Sequence, residues 1–191
     1  MTEPLQLNLG CGTNRIEGFL NVDKFKECEP DLVCDLEVFP WPWSTNSVSA
    51  VVMAHALEHM YGSSGAFLEF MKELYRVCQN GAEILILVPH PRHDDFLNDP
   101  THVRAITPTI FTLFSKKSNL EWEQGGFSNS QLAKYTNTDF ELVEAGASLD
   151  AAWEKKRDLG EVSNDELMAA VQEKNNVVKE FKIKLRVIKL P

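Results

Sequence analysis

The run Leu7-Asn-Leu-Gly-Cys-Gly12, followed by Asp23, is the first place in this chain where residue types and spacing could do chemistry. A glycine directly after a buried strand lets a ligand approach the backbone closely. A carboxylate at the tip of the next strand can accept both hydroxyl hydrogens of a ribose. Asp35, at the end of a third apolar run, could accept from an adenine amino group. The pattern is not a dinucleotide fingerprint. Arg15 stands where the third glycine of Gly-x-Gly-x-x-Gly belongs, and the acid arrives earlier than the usual ~20 residues. No Walker lysine follows, so the expected ligand is a nucleoside with a non-phosphate attachment.

Histidines form the second group. His55-Ala-Leu-Glu-His59 matches the H-x-x-E-H pattern of some zinc peptidases. On a helix both histidines could bind one ion, with Glu58 as general base. Here the pattern follows a buried strand, and Tyr61-Gly-Ser-Ser64 interrupts any helix. A peptidase is therefore not expected, and no metal ligand is assigned. His90, His93 and His102 are mixed with Asp94, Asp95 and Asp99. Such a segment can be a polar surface loop, a source of a general base, or a metal site. His55 and His102 are the candidate catalytic residues. Phe39-Pro-Trp-Pro-Trp43 reads as a rigid packed turn, or as a wall at the adenine end of a pocket.

The elements that must position these residues alternate between strand and helix. Strands are predicted at 5–9, 19–23, 32–35, 50–54 and 82–88, where short apolar runs end in turn residues or acids. A helix is predicted from about Gly65 to Gln79, capped by Ser63 or Ser64 and ended by Asn80-Gly81. Only nine residues separate Leu9 from Phe19, so any helix there is one or two turns. Residues 89–107 read as a long loop and Pro108 to Phe114 as a short helix. The stretch 116–138 gives no clear pattern. Phe140 to Glu144 is a sixth strand. Ser163 and Glu166 form a capping box for a helix over 164–175. Phe181, Ile183, Leu185 and Val187 alternate with Lys182, Lys184 and Arg186, which marks a half-buried last strand antiparallel to the sixth.

The chain is long enough to bury roughly 70% of its unfolded surface as one domain, 1–191, with 90–175 a variable loop and helical cover. A net charge of -9 argues against holding duplex nucleic acid by its phosphates or docking on an anionic membrane. The opening residues carry no signal-peptide pattern, and no apolar run is long enough to span a bilayer. The four cysteines form no C-x-x-C pair. A cytoplasmic protein with reduced thiols is expected.

Taken in order, the Leu7–Gly12 run, Glu17-Gly-Phe-Leu-Asn-Val-Asp23, Asp35-Leu36, Ala54-His-Ala-Leu-Glu-His59, Glu73-Leu-Tyr-Arg-Val77, Ile84-Leu-Ile-Leu-Val-Pro89 and Asp99-Pro-Thr-His102 with Arg104 resemble class I S-adenosylmethionine-dependent methyltransferases, in a compact bacterial and phage-like branch. The resemblance implies an α/β, Rossmann-like, seven-stranded mostly parallel sheet with an antiparallel last strand and helices on both faces. It implies S-adenosylmethionine as cofactor. Gly10, Cys11 and Gly12 would line its methionine part, Asp23 its ribose, Asp35 and Leu36 its adenine, and Ala54 and His55 the region near the sulfonium. Thr13 and Asn14 stand where many members carry a third glycine. The acceptor is expected to be a small molecule, and a homo-oligomer is compatible with the sequence. The competing readings are a non-catalytic binding or assembly protein on this fold, and a nucleotide-dependent oxidoreductase or epimerase.

Overall fold

Short apolar runs early in the chain become parallel strands β1 (Leu5–Leu9), β2 (Leu20–Asp23), β3 (Leu32–Val33) and β4 (Val48–Ala54). The computed structural model describes residues 3–189. A longer β5 (Cys78–Pro89) lies parallel to β4, and β7 (Val178–Val187) runs antiparallel between β5 and β6 (Phe140–Leu149). The seven strands stand in the order β3-β2-β1-β4-β5-β7-β6. This is the expected Rossmann-like sheet. Leu7, Leu9, Val22, Met53, Ile84, Ile86, Ile183 and Leu185 are wholly buried and form its core.

The connection from β1 to β2 contains no helix. A polar network holds it instead. Asn8 and Asn21 lie side by side in register, and Asn8 Nδ2 donates to Asn21 Oδ1 (2.9 Å) and to the Asn14 carbonyl (2.8 Å). Ile16 N–H donates to the same Asn21 oxygen, and Asn21 Nδ2 donates to Asp31. The amide and side chain of Asn21, with Arg15, hold the Asp31 carboxyl down at about 2. Side-chain amides thus satisfy backbone groups that a crossover helix would satisfy internally.

Helix α1 (Ser64–Val77) begins where Ser63 Oγ accepts from Ala66 N–H. Phe67, Phe70, Met71, Leu74 and Val77 recur at helical spacing and are buried. The helix stops before the expected Asn80-Gly81. Asn46 and Ser47 donate to the carbonyls of Arg76 and Val77, and Cys78 pairs with Val48, so the start of β4 draws the chain into β5. Trp41 and Trp43 are buried in the core, and Trp41 Nε1 donates to the Leu36 carbonyl, so that run is a packed turn.

Beyond β5 come α2 (Asp94–Leu97), α3 (Pro108–Thr112), α4 (Lys116–Gln124), α5 (Leu132–Thr136), α6 (Ala151–Asp158) and α7 (Asn164–Glu173). The capping box of α7 is present in both directions. α2 sits inside the expected loop, α4 and α5 fill the stretch without a pattern, and α6 follows a β6 that is longer than expected. The basic face of β7 is paired with acidic side chains. Lys182 meets Glu144 (3.0 Å), Lys184 meets Glu83 (2.9 Å) and Arg186 meets Glu141 (3.0 Å). Exposed pairs of this kind contribute about 0–1 kcal/mol each. Among the described residues no helix is long and apolar enough to cross a membrane, and the four cysteines are free.

Candidate functional site

The carboxyl ends of β1, β2 and β4 border a cleft of about 390 Å³. Gly10, Gly12, Asp23, Asp35, Leu36 and His55 all line it, although they come from four separate segments. Open parallel sheets place ligands at this edge.

Gly10 and Gly12 both adopt positive φ, at 67° and 50°. Their surroundings differ. A Cβ on Gly10 would lie 2.6 Å from Ala56 Cβ, so Gly10 is needed for packing of the β1 turn against the turn after β4. A Cβ on Gly12 would meet nothing within 4 Å. Gly12 therefore presents bare backbone to the cleft. Its N–H donates to Asp23 Oδ2 (2.8 Å), while Phe25 N–H donates to Asp23 Oδ1 (2.9 Å). Each carboxylate oxygen keeps a further lone pair for a ligand hydroxyl. Asp35 Oδ1 accepts from Glu37 N–H, and the Leu36 carbonyl accepts from Trp41 Nε1 and the Tyr61 hydroxyl, which fixes that end of the cleft.

Two of the expected residues are placed otherwise. Cys11 is buried beneath the turn, where burial and Asp23 raise its thiol pKa, and Ala54 lies within β4 opposite Leu87. Neither lines the cleft. Phe25, Met60 and Thr101 do line it and were not singled out from the sequence. Phe25 stands two residues after Asp23 and is largely exposed, a signal that an aromatic following the strand-end acid could have given.

His55 stands at the end of β4 with φ of 53°, a left-handed conformation that is costly for a non-glycine residue. Its N–H donates to the Leu87 carbonyl. Its Nε2 lies 2.7 Å from Glu180 Oε2, and its Nδ1 lies 3.6 Å from Glu58 Oε1. Glu58 and, more weakly, Glu180 raise the His55 pKa against the opposing effect of partial burial. His55 and His59 also border a second recess of about 240 Å³, together with Glu58, Asp99, His102 and Glu180. His55 and His102, the two candidate catalytic histidines, thus share this recess.

The peptidase-like pattern does not form a helix. His55 directly follows β4, and Leu57–His59 makes a single 3-10 turn. His90 and His93 are structural. His90 Nδ1 accepts from Arg92 N–H, and its ring packs on Phe181. His93 is buried, accepts from Asp95 N–H at the start of α2, and reaches Asp150.

No protein-family model matches the chain, and no curated protein does. Solved structures do. A SAM-dependent methyltransferase from Archaeoglobus fulgidus superposes with a TM-score of 0.59 at 15% identity, covering 96% of this chain and 86% of that one. One from Methanosarcina mazei gives 0.55 at 13%, covering 100% and 95%. The [4+2]-cyclase SpnF gives 0.53 at 12%, covering 98% and 77%. The chain therefore has the fold of the SAM-dependent methyltransferases.

Proposed function

We propose that the protein is an S-adenosylmethionine-dependent methyltransferase acting on a small-molecule acceptor. The observation that carries the reading is the single cleft that gathers Gly12, Asp23, Asp35, Leu36 and His55 along the strand ends. Those residues suit the group. Bare backbone at Gly12 accommodates an amino-acid tail, the Asp23 carboxylate suits a ribose, and Asp35 suits an adenine amino group. The cleft lacks a diphosphate cradle, which weighs against an oxidoreductase or epimerase. It is open and is lined by Thr101 from the 89–107 segment, which favours an enzyme over a protein with a filled pocket.

S-adenosylmethionine, when bound, supplies an electrophilic methyl group. The rest is the work of this chain's own residues. Asp23 would fix the nucleoside and Leu36 would pack against its base. His55 stands where the cleft meets the second recess, so its imidazole can orient an acceptor there and take its proton. Glu180, 2.7 Å from Nε2, holds that ring in place and stabilises the imidazolium that results. His102 would help to wall the recess in which the acceptor sits, and the 90–175 segment would close over it as a variable cover.

Isothermal titration tests this reading, with S-adenosylmethionine and S-adenosylhomocysteine as ligands and NAD as control. Saturable binding of both sulfur nucleosides is expected, at least tenfold weaker in Asp23→Ala. A folded sample that binds neither would overturn it.

A further inference from the structure

Glu58 is a buried carboxylate, 1% exposed, and neither of its oxygens has a hydrogen-bond partner. An ionised group in that position needs a counter-charge, and a protonated one would still leave its O–H unpaired. The nearest help from His55 is 3.6 Å away. The carboxylate instead shares a cluster with His59 and His102. One ligand atom from each of the three residues lies within 4.8 Å of the other two.

The hydrogen bonds around both histidines settle which nitrogen is free. His102 Nδ1 lies 2.8 Å from the Phe96 carbonyl, which can only accept, so Nδ1 carries the proton. His59 Nδ1 lies 2.8 Å from Thr101 Oγ1, and that hydroxyl donates its own proton to Asp99 Oδ1 at 2.6 Å. His59 Nδ1 must therefore donate as well. Each neutral ring keeps a lone pair on Nε2. A second ring N–H tied to an oxygen is the usual support of a metal-ligating histidine. The Nε2 lone pair of His102 also lies 3.9 Å from Asp99 Oδ2, two electron-rich atoms that a cation between them would reconcile. The backbone locks the arrangement, because Val103 and Arg104 N–H both donate to the Glu58 carbonyl.

We propose that Glu58, His59 and His102 bind a divalent transition-metal ion of the zinc class, with the side toward the 240 Å³ recess left for an oxygen ligand. Two imidazoles and one carboxylate form a donor set that suits zinc. Zinc bonds of about 2.0–2.2 Å place tetrahedral ligand atoms roughly 3.4 Å apart, so closure needs side-chain shifts on the order of 1 Å. The sequence pattern pairs His55 with His59. The fold replaces His55 by His102, which is distant in sequence. The inference does not depend on the cofactor, since the ligands can be tested with metal alone.

The experiment is titration of chelator-treated full-length protein with Zn²⁺, without cofactor or acceptor, and with Co²⁺ as a spectroscopic probe. One equivalent per chain is expected, with a Co²⁺ d–d spectrum free of thiolate charge transfer. His102→Ala should abolish binding. Thr101→Val keeps the side chain's shape and removes the hydroxyl that accepts from His59 Nδ1, and should weaken it about tenfold. His90→Ala should leave it unchanged. No saturable binding by folded wild-type protein would overturn the proposal, as would binding that survives both His102→Ala and His59→Ala or that shows a thiolate band.

Discussion

His55 combines a left-handed backbone with an imidazole held between two carboxylates. Glu58 and then Glu180 favour its charged form, so the folded pKa lies above the ordinary value of about 6.5. A base must be neutral to accept a proton. Turnover should therefore rise with pH along a limb centred above that of a free histidine. Glu180→Gln removes one carboxylate and should move the limb to lower pH, which a pH–rate profile would record. Unchanged limbs would remove His55 from the proton path. His55→Asn should cut kcat by about 10²- to 10⁴-fold with cofactor binding kept, measured by initial rates beside a titration. The residue-level reading of the sequence found cleft-lining positions that have a local signal. Gly12, Asp23 and His55 lie at or just beyond strand ends that their own neighbours announce. Thr101 and Met60 reach the same cleft only because distant segments fold together, and no spacing along the chain encodes that. The unpaired state of Glu58 was equally invisible, because it depends on what surrounds a side chain and not on what precedes it.

Elements with a local stop or start signal were legible. Helix α7 begins with Ser163 accepting from Glu166 N–H while the Glu166 side chain reaches back, and those two residues sit three apart in the sequence. Ser163→Ala should lower stability by about 1 kcal/mol, read as a shift in the denaturation midpoint without a change in slope. Helix α6 had no such legibility despite its Asp150 cap. None of its residues is buried, so it carries no apolar stripe to give it away. The end of α1 was misplaced for a different reason. Asn80-Gly81 is a good helix stop, but strand pairing of Cys78 with Val48 takes the chain first. The missing helix between β1 and β2 was foreshadowed by the short connection. What replaces it, an asparagine pair in register, required the sheet to be known.

At the scale of the whole molecule, strands β1 and β2 beside the cleft are close neighbours in sequence, and the far side is built from distant partners. Leu7 lies beside Leu20, whereas Ile84 lies beside Leu185. The strand order could not be read from the chain, yet the alternation of β7 was enough to give it an antiparallel partner. The asparagine-braced connection has a kinetic consequence. Closing the short β1–β2 loop costs roughly 2 kcal/mol less chain entropy than closing the β5–β7 loop, at about 0.6 kcal/mol per doubling of length. The β1–β2 edge should therefore gain protection first during refolding, and the β5–β7–β6 edge last. Pulse-labelled hydrogen exchange would detect this as early protection at Gly10 and Cys11, whose N–H groups donate to the Val22 carbonyl, and late protection at Ile183 and Leu185. The chain would then be assembled in the order in which it emerges from synthesis, with its ligand edge formed before its cover exists.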